Sequence, residues 1–308
     1  MSAPAAHRIG HPTPLVFHLG SAVTAYLHAI LAAPNAAEDS FPWHPALPGF
    51  DAPPPQPIDV ACEAARRLLA MLRGIEAWQR HPYRRTMQEP PALWTQGSTR
   101  LLDYGAVPEA TDPNGPVVLV VPSLINRAYI LDLTPRTSLI RALAAAGLRP
   151  MLLDWGTPGR AEARFDLSDY AAQRLTPALA VAQVLGGRPP ALLGYCMGGT
   201  LAAVHTMQVP GPRALVTIGA PWDFDATQGA PFAVRAAARQ MGTQRLRMQI
   251  RALADAFGTV PVTVFQHLFA MVDPIMAARK FRRFAGLPAD GPQAELFVAL
   301  EDLSLIHI

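Results

Sequence analysis

The sequence is short of cysteine and of charge, and each shortage excludes a class of protein. Two cysteines, Cys62 and Cys196, give neither a disulfide framework nor the closely spaced ligands of a metal site. Only 16% of the 308 residues are charged and 50% are hydrophobic, so the chain can bury a large core and is not a disordered protein. We predict neither a metal nor a cofactor, and this cysteine content favours the cytoplasm.

The sequence also lacks a basic stripe of the kind that binds nucleic acid, and it lacks a signal peptide. The formal net charge is +3, lysine is almost absent beside arginine, and the arginines are spread along the chain, so we predict no nucleic-acid partner. The N-terminus lacks the basic and apolar regions of a signal peptide. The most apolar stretch, residues 14–33, contains polar side chains, which indicates a packing or surface helix, with contact to a membrane or lipid granule as the alternative.

Apolar runs alternate with helical patterns along the middle of the chain. Strands are predicted at residues 100–104, Val117–Val121, 151–155, 191–193 and Ala214–Ile218. Helices are predicted over residues 58–80, from an N-cap at Thr134 through Ala146, and from a cap at Ser168 towards Leu185 with a kink at Pro177. This alternation predicts a doubly wound parallel sheet, whose ligands bind beyond the carboxyl ends of its strands.

The most distinctive stretch is residues 189–207, in which a short apolar run leads into Gly-Tyr-Cys-Met-Gly at 194–198 and then into helical sequence. Strand, sharp turn and helix match a nucleophile elbow, with Cys196 in the place of serine. Gly194 and Gly198 would let the turn form, and helix N–H groups would stabilise a thiolate at Cys196. The alternative is a buried structural cysteine beside a glycine-rich turn.

These segments together resemble the poly(3-hydroxyalkanoate) synthases, which are cysteine acyltransferases on the α/β-hydrolase fold. The resemblance covers about residues 80–302. The matching segments are Val-Pro-Ser-Leu-Ile-Asn-Arg at 121–127, Tyr-Ile-Leu-Asp-Leu at 129–133, Leu-Asp-Trp-Gly at 153–156, Leu-Ser-Asp-Tyr at 167–170 and Gly-Tyr-Cys-Met-Gly-Gly at 194–199.

The resemblance implies that Cys196 attacks the thioester of an (R)-3-hydroxyacyl-coenzyme A and that a polyester grows through a thioester acyl-enzyme. In such an elbow the backbone N–H of Met197 would stabilise the tetrahedral oxygen. The second donor is expected in the loop after residues 117–121, with Leu124 the first candidate and Ile125 the second. The side chain of Asn126 is expected to shape that loop.

A catalytic acid and base are harder to find. In this fold the acid and the histidine follow the nucleophile, yet His205 is expected to be a packing or surface residue of the elbow helix, and His267 lies in an apolar cap segment with little expectation of a catalytic role. Asp223 and Asp225, and likewise Asp154, are interpreted as structural carboxylates. The basic run at residues 279–283 indicates a solvated helix face, with binding of coenzyme A phosphates as the alternative.

The last six residues, which include His307, depart from the family pattern and resemble one reading frame of a sequencing adapter. We therefore expect an inactive fragment without its acid and base. The predicted fold is α/β: a doubly wound, mostly parallel α/β-hydrolase-type sheet with a helical cap and its last strands missing. The predicted divisions are an N-terminal helical and proline-rich region (1–90), the core with the elbow (91–226), a helical cap (227–302) and the artefact (303–308).

Two other functions remain open. The same elbow would serve a cysteine-type esterase or intracellular polyester depolymerase, and a non-catalytic granule-associated protein could keep the fold without turnover. The resemblance further implies a homodimer and association with the surface of polyester granules as candidate interactions.

Overall fold

The structure is a computed structural model that describes residues 15–35, 55–223, 239 and 242–303. Predictions for Asp225, His307, the N-terminal tail and most of the proline-rich arm fall outside these residues. Contacts divide the chain into two compact units. One comprises Met1–Pro82 with Gln266–Phe297, and the other comprises Tyr83–Phe265 with Val298–Ile308.

The described residues form strands and helices in an alternating order through the middle of the chain. The strands are β1 (Ala92–Gln96), β2 (Thr99–Asp103), β3 (Val117–Val121), β4 (Asp132–Thr134), β5 (Thr137–Ser138), β6 (Arg149–Asp154), β7 (Ala191–Tyr195) and β8 (Ala214–Ile218). The helices are α1 (Leu15–Ala32), α2 (Pro57–Arg80), α3 (Leu139–Ala145), α4 (Leu167–Tyr170), α5 (Thr176–Gly186), α6 (Met197–Gln208), α7 (Thr243–Phe257), α8 (Val262–Val272), α9 (Met276–Phe284) and α10 (Pro292–Leu303).

Six of the strands form one mostly parallel sheet. Their order is β1-β2-β6-β3-β7-β8, with β6, β3, β7 and β8 parallel and the β1–β2 and β2–β6 pairs antiparallel. The chain runs outwards from β3 to β6 and then returns across β3 to β7. This reversal is the switch point at which doubly wound sheets bind ligands, and it lies where β7 delivers Cys196.

Both faces of the central strands are buried, which explains their unbroken apolar sequence. Alternate residues serve the two faces: Leu119 and Leu192 belong to one core cluster, and Val120 and Leu193 to the other. Helices α5 and α6 supply residues to the first cluster, and α3 supplies residues to the second. Helices on both faces of a mostly parallel sheet confirm the predicted fold class.

The helix boundaries differ from the prediction where local caps compete. Thr134 does not cap α3, because residues 132–138 form the β4–β5 hairpin and the hydroxyl of Ser138 accepts the Arg141 N–H. Asp166 rather than Ser168 caps α4, through a capping box with Asp169. Instead of a simple kink, a π-helical turn at Ala171–Leu175 precedes Pro177, whose ring has no N–H to continue the helical ladder.

The unit that contains α1 and α2 is helical in its described residues. Gly74 of α2 lets α9 approach closely, since a Cβ there would lie 2.0 Å from the carbonyl oxygen of Phe281. The ring of Trp78 meets Phe281 edge-on. Cys62 is exposed on α2. By length and composition, Leu15–Asn35 could cross a membrane, a criterion that core helices and signal sequences also meet.

The basic run at 279–283 lies on α9 in this unit. Phe281 is buried and Arg279 pairs with Asp273, while Arg283 is exposed. This pattern is that of an amphipathic helix with a solvated basic face.

Candidate active site

Cys196 occupies a sharp turn between β7 and α6. Its backbone has φ 52° and ψ −128°, and among the described residues it is the only non-glycine with a positive φ. An L-residue held in such a conformation is strained, and strain of this kind concentrates at functional sites. The thiol is partly exposed, and Cys196 is the N-cap of a 12-residue helix whose first N–H groups have no partner within the helix.

Three glycines make the turn possible because the backbone segments around Cys196 nearly touch. A Cβ on Gly194 would lie 2.3 Å from the Cα of Gly199, and one on Gly198 would lie 2.3 Å from the carbonyl oxygens of Val121 and Pro122. Both distances are far below van der Waals contact. Gly194 and Gly198, which were predicted to shape the site, are therefore required sterically in this geometry, and Gly199 joins them.

Backbone hydrogen bonds hold Cys196 between its neighbours. Its N–H donates to the carbonyl of Ile218 on β8 at 2.8 Å, and its own carbonyl accepts the Gly199 N–H at 2.8 Å. The hydroxyl of Thr200 donates to the Pro221 carbonyl at 2.6 Å. The elbow is thus tied to the segment that leaves β8.

The loop after β3 passes beside the elbow at Gly198. The hydroxyl of Ser123, which is buried, accepts the Ile125 N–H at 3.2 Å. This bond occupies the N–H of Ile125 and favours Leu124 as the second oxyanion donor, beside Met197 at the first position of α6. Ser123 thus supplies a hydrogen bond within this loop. The roles of Leu124, Met197 and Asn126 stay predictions.

Asp132 of the Tyr-Ile-Leu-Asp-Leu segment is the centre of a buried polar network. Its carboxylate accepts hydrogen bonds from Arg85 at 3.0 Å, Arg141 at 2.9 Å, Ser138 at 2.6 Å and Tyr104 at 3.1 Å. Burial, and then the charge of Asp132, raises the pKa of the Tyr104 hydroxyl. The network joins the loop after β3 to α3, so the segment has a structural role.

Asp154 likewise forms a structural ion pair. Arg100 donates to its carboxylate at 2.6 Å, and the Gly156 N–H donates to the other oxygen at 3.1 Å. Because both oxygens are engaged within the fold, the interpretation of Asp154 as a structural carboxylate agrees with these contacts.

A buried ion pair that the sequence did not indicate fixes the loop after β6. Arg174 donates to Glu162 at 2.7 Å, and the backbone N–H groups of Ser98 and Gly159 donate to the same carboxylate at 3.1 and 3.0 Å. Burial acts to raise the pKa of Glu162, but these hydrogen bonds outweigh it and lower the pKa to about 2. The partners are twelve positions apart in the sequence, and no periodic pattern marks the pair.

No described residue is assigned as the base. His205 is buried on α6, nine residues beyond Cys196, which is roughly 13 Å along the helix. Burial lowers its pKa, and its Nε2 has no hydrogen-bond partner among the described residues. His267 belongs to the other unit, where its ring meets Phe17 edge-on. Asp223 follows β8 by five residues, and its structural role stays a prediction.

A doubly wound, mostly parallel sheet with a glycine-flanked elbow at its switch point defines the α/β-hydrolase class, here with cysteine at the nucleophile position. No family model matches the chain. The poly(3-hydroxyalkanoate) polymerase subunit PhaC of Haloferax mediterranei is 33% identical over 185 residues, or 59% of this chain and 36% of that protein. The subunit of Haloarcula marismortui is 31% identical over 202 residues, or 63% and 41%.

The PhaC subunit of Synechocystis is 28% identical over 191 residues, or 61% of this chain and 49% of that protein. The chain is therefore similar to poly(3-hydroxyalkanoate) polymerases, which confirms the predicted resemblance, and it spans between about a third and a half of the length of these three relatives.

The similar solved structures are more distant. They include a thioesterase domain from the curacin biosynthetic pathway, at 19% identity and TM-score 0.35 over 56% of this chain and 64% of that one. A monoglyceride lipase variant from Saccharomyces cerevisiae has 13% identity and TM-score 0.36 over 67% and 71%. At these scores they carry no argument, and the class rests on the strand order and the elbow.

Proposed function

We propose that this protein is an acyltransferase that polymerises (R)-3-hydroxyacyl-coenzyme A into a polyhydroxyalkanoate. The observation that carries the proposal is the strained elbow that presents Cys196 at the switch point of the sheet. The similarity to PhaC subunits supports the choice of substrate and product. No cofactor takes part, since a thiolate and a thioester suffice for the reaction.

Cysteine suits this chemistry better than serine does. The thiolate of Cys196 would add to the thioester carbonyl, and coenzyme A would leave as a thiol once the tetrahedral intermediate collapses. The product is another thioester of similar energy, so the acyl group stays activated for attack by the next hydroxyl. A serine ester would lose much of that activation.

The tetrahedral oxygen would lie between the N–H groups of Met197 and Leu124. Met197 begins α6, where the helix dipole also favours negative charge, and the Ser123–Ile125 hydrogen bond leaves Leu124 as the candidate in the loop after β3. Gly194 and Gly198 allow the turn, and Asn126 is proposed to shape the loop after β3.

The wider assembly belongs to the same proposal. We propose a cytoplasmic protein that associates with the surface of polyester granules and forms a homodimer. An exposed apolar stripe on α1 supports the granule contact, with Val16, Leu27 and Leu31 among its residues. Such a stripe suits an apolar polymer surface, because helix α1 carries no charged side chain.

The test is release of coenzyme A from (R)-3-hydroxybutyryl-coenzyme A, with polymer measured in the same reaction. The 308-residue chain, the gene product extended past Asp302 and a Cys196→Ala variant of each are compared. Thiol release and polymer in the extended form, abolished by Cys196→Ala, are expected. Release of free hydroxyacid without polymer would favour the hydrolase, and no release from any form would favour the non-catalytic granule protein.

A further inference from the structure

Trp155 connects the strand β6 to the loop that precedes the candidate oxyanion donor. The residue follows β6 directly, and its side chain is buried in the same core cluster as Leu119 and Leu192. Its indole Nε1 donates a hydrogen bond to the carbonyl oxygen of Pro122 at 3.0 Å. Pro122 is the first residue after β3, two positions before Leu124.

The Pro122 carbonyl oxygen, which accepts this hydrogen bond, also lies against the elbow. A Cβ on Gly198 would lie 2.3 Å from the carbonyl oxygen of Pro122. This oxygen therefore lies between the indole N–H of Trp155 and Gly198, the second residue of α6. Leu124 packs against the same cluster as Trp155. The position of Pro122 relative to α6 is thus determined by one hydrogen bond and one close contact.

Neighbouring residues restrain the backbone and the ring of Trp155. The hydroxyl of Ser98 donates to its carbonyl at 2.8 Å, and Gly156 has a positive φ of 67° at a place where a Cβ would lie 2.0 Å from the Ser98 carbonyl oxygen. The Tyr170 ring meets the indole edge-on at 5.7 Å. Trp155 is thus restrained at its backbone by Ser98 and contacted at its ring by Tyr170.

We propose that Trp155 is a positioning residue for the oxyanion hole. Its indole N–H fixes the Pro122 carbonyl, and this sets the loop so that the Leu124 N–H faces the oxygen that the Met197 N–H also stabilises. This role presupposes the elbow chemistry of the proposed function, so its test must separate the two.

Two electrophiles distinguish an effect on the oxyanion hole from a general effect on the fold around Cys196. An acyl trifluoromethyl ketone accepts the Cys196 thiolate at its carbonyl carbon, and the C=O electron pair moves to oxygen, which gives a reversible adduct whose oxyanion occupies the hole. Iodoacetamide alkylates the same thiolate and releases iodide, with no oxyanion formed. Both are measured on the full 308-residue chain carrying Cys62→Ser, so that Cys196 is the only thiol.

The variant is Trp155→Phe, which keeps an aromatic ring but removes the N–H. Trp94→Phe is the matched control, because Trp94 packs on the same cluster and its indole makes no hydrogen bond within the described part of the chain. We expect Trp155→Phe to weaken ketone binding at least tenfold while the alkylation rate stays within about twofold, and Trp94→Phe to change neither. Ser98→Ala should weaken ketone binding in the same direction and by less.

Unchanged ketone affinity in Trp155→Phe, or an equal loss in both reactions, would overturn the positioning role. If Trp155→Phe fails to fold, Ser98→Ala decides: a selective loss of ketone binding supports the role and an unchanged affinity contradicts it. A failure of the proposed function looks different. In that case the starting chain binds the ketone no better than a chain that carries both Cys62→Ser and Cys196→Ala.

Discussion

The two strands beside β7 have similar sequences and opposite surroundings. β3 reads Val-Val-Leu-Val-Val and every one of its residues is buried, whereas β8 reads Ala-Leu-Val-Thr-Ile and every one of its residues is exposed, with Val216 at 49%. Both were predicted as strands, and both are. An apolar, β-branched run specifies a strand, but burial is decided by the elements that cover it.

The two sides of the elbow also differ in how closely they are packed. On the β3 side, Pro122, Trp155 and Gly198 are packed at the limit of contact, and the candidate donor Leu124 lies in that region. On the β8 side, within the described residues, an open apolar groove is lined by residues such as Met207, Leu215 and Trp222. The close packing around the elbow therefore lies on the β3 side, whereas the β8 side holds Cys196 by the backbone hydrogen bond to Ile218.

The largest effect is expected at the contact between β3 and the elbow. Gly198→Ala would place a Cβ 2.3 Å from two carbonyl oxygens, so the turn cannot form without displacing the loop. We expect a loss of more than about 4 kcal/mol in the free energy of unfolding, measured by urea denaturation. Gly211→Ala is the control, since a Cβ there meets no atom within 4 Å and should cost less than about 0.5 kcal/mol. Equal stability of the two variants would refute this packing.

The buried ion pair behind the β6 loop should matter nearly as much. Arg174→Met leaves Glu162 charged and buried, which costs about 3–5 kcal/mol. Arg66→Met removes an exposed partner of Glu63 and should leave the urea midpoint unchanged. Because the folded-state pKa of Glu162 is lowered to about 2, its contribution is present above pH 4.5 and is lost as the pH falls from 4.5 towards 2. An Arg174→Met chain that keeps this acid transition would contradict the assignment.

Leucines in one row across the sheet test the difference in burial between β3 and β8. Leu119 pairs with Leu192, and Leu192 pairs with Leu215. Leu119→Ala should cost about 3 kcal/mol because it opens a cavity between two buried layers. Leu215→Ala should cost about 1 kcal/mol of unfolding free energy, because Leu215 is 38% exposed. Similar losses would mean that β8 is covered in solution.

The smallest effect is expected from His205 on α6. Burial lowers its pKa, so the folded state holds the neutral ring while the unfolded chain takes up a proton near pH 6.5. Stability should therefore fall as the pH drops below 6.5, and His205→Leu should remove that part of the slope between pH 7.5 and 5. An unchanged slope in the variant would show that His205 does not carry it.

Much of the core and the turn at Cys196 could be predicted from the sequence, because glycine spacing and buried runs are local signals. The edge strand β1 was missed: its residues are mostly exposed and give no alternation. Thr134-Pro135 matched a helix start by composition, yet Asp132 draws that segment into a polar network with Arg85, 47 residues away. Contacts between residues far apart in the sequence, such as this pair and the hydrogen bond from Trp155 to Pro122, produce no periodic pattern in the sequence.

The central claim, that the elbow makes Cys196 a nucleophile, is tested most directly by the two thiols of one molecule. Limiting iodoacetamide is added to the folded chain, and the alkylated peptides containing Cys62 and Cys196 are quantified over time. Cys62 is exposed on α2 and Cys196 is only partly exposed, so accessibility alone favours Cys62. The account predicts that Cys196 reacts faster, because it occupies the N-cap of α6 in a strained turn, whereas Cys62 lies within α2. Slower alkylation of Cys196 than of Cys62 would identify a structural cysteine and contradict the account.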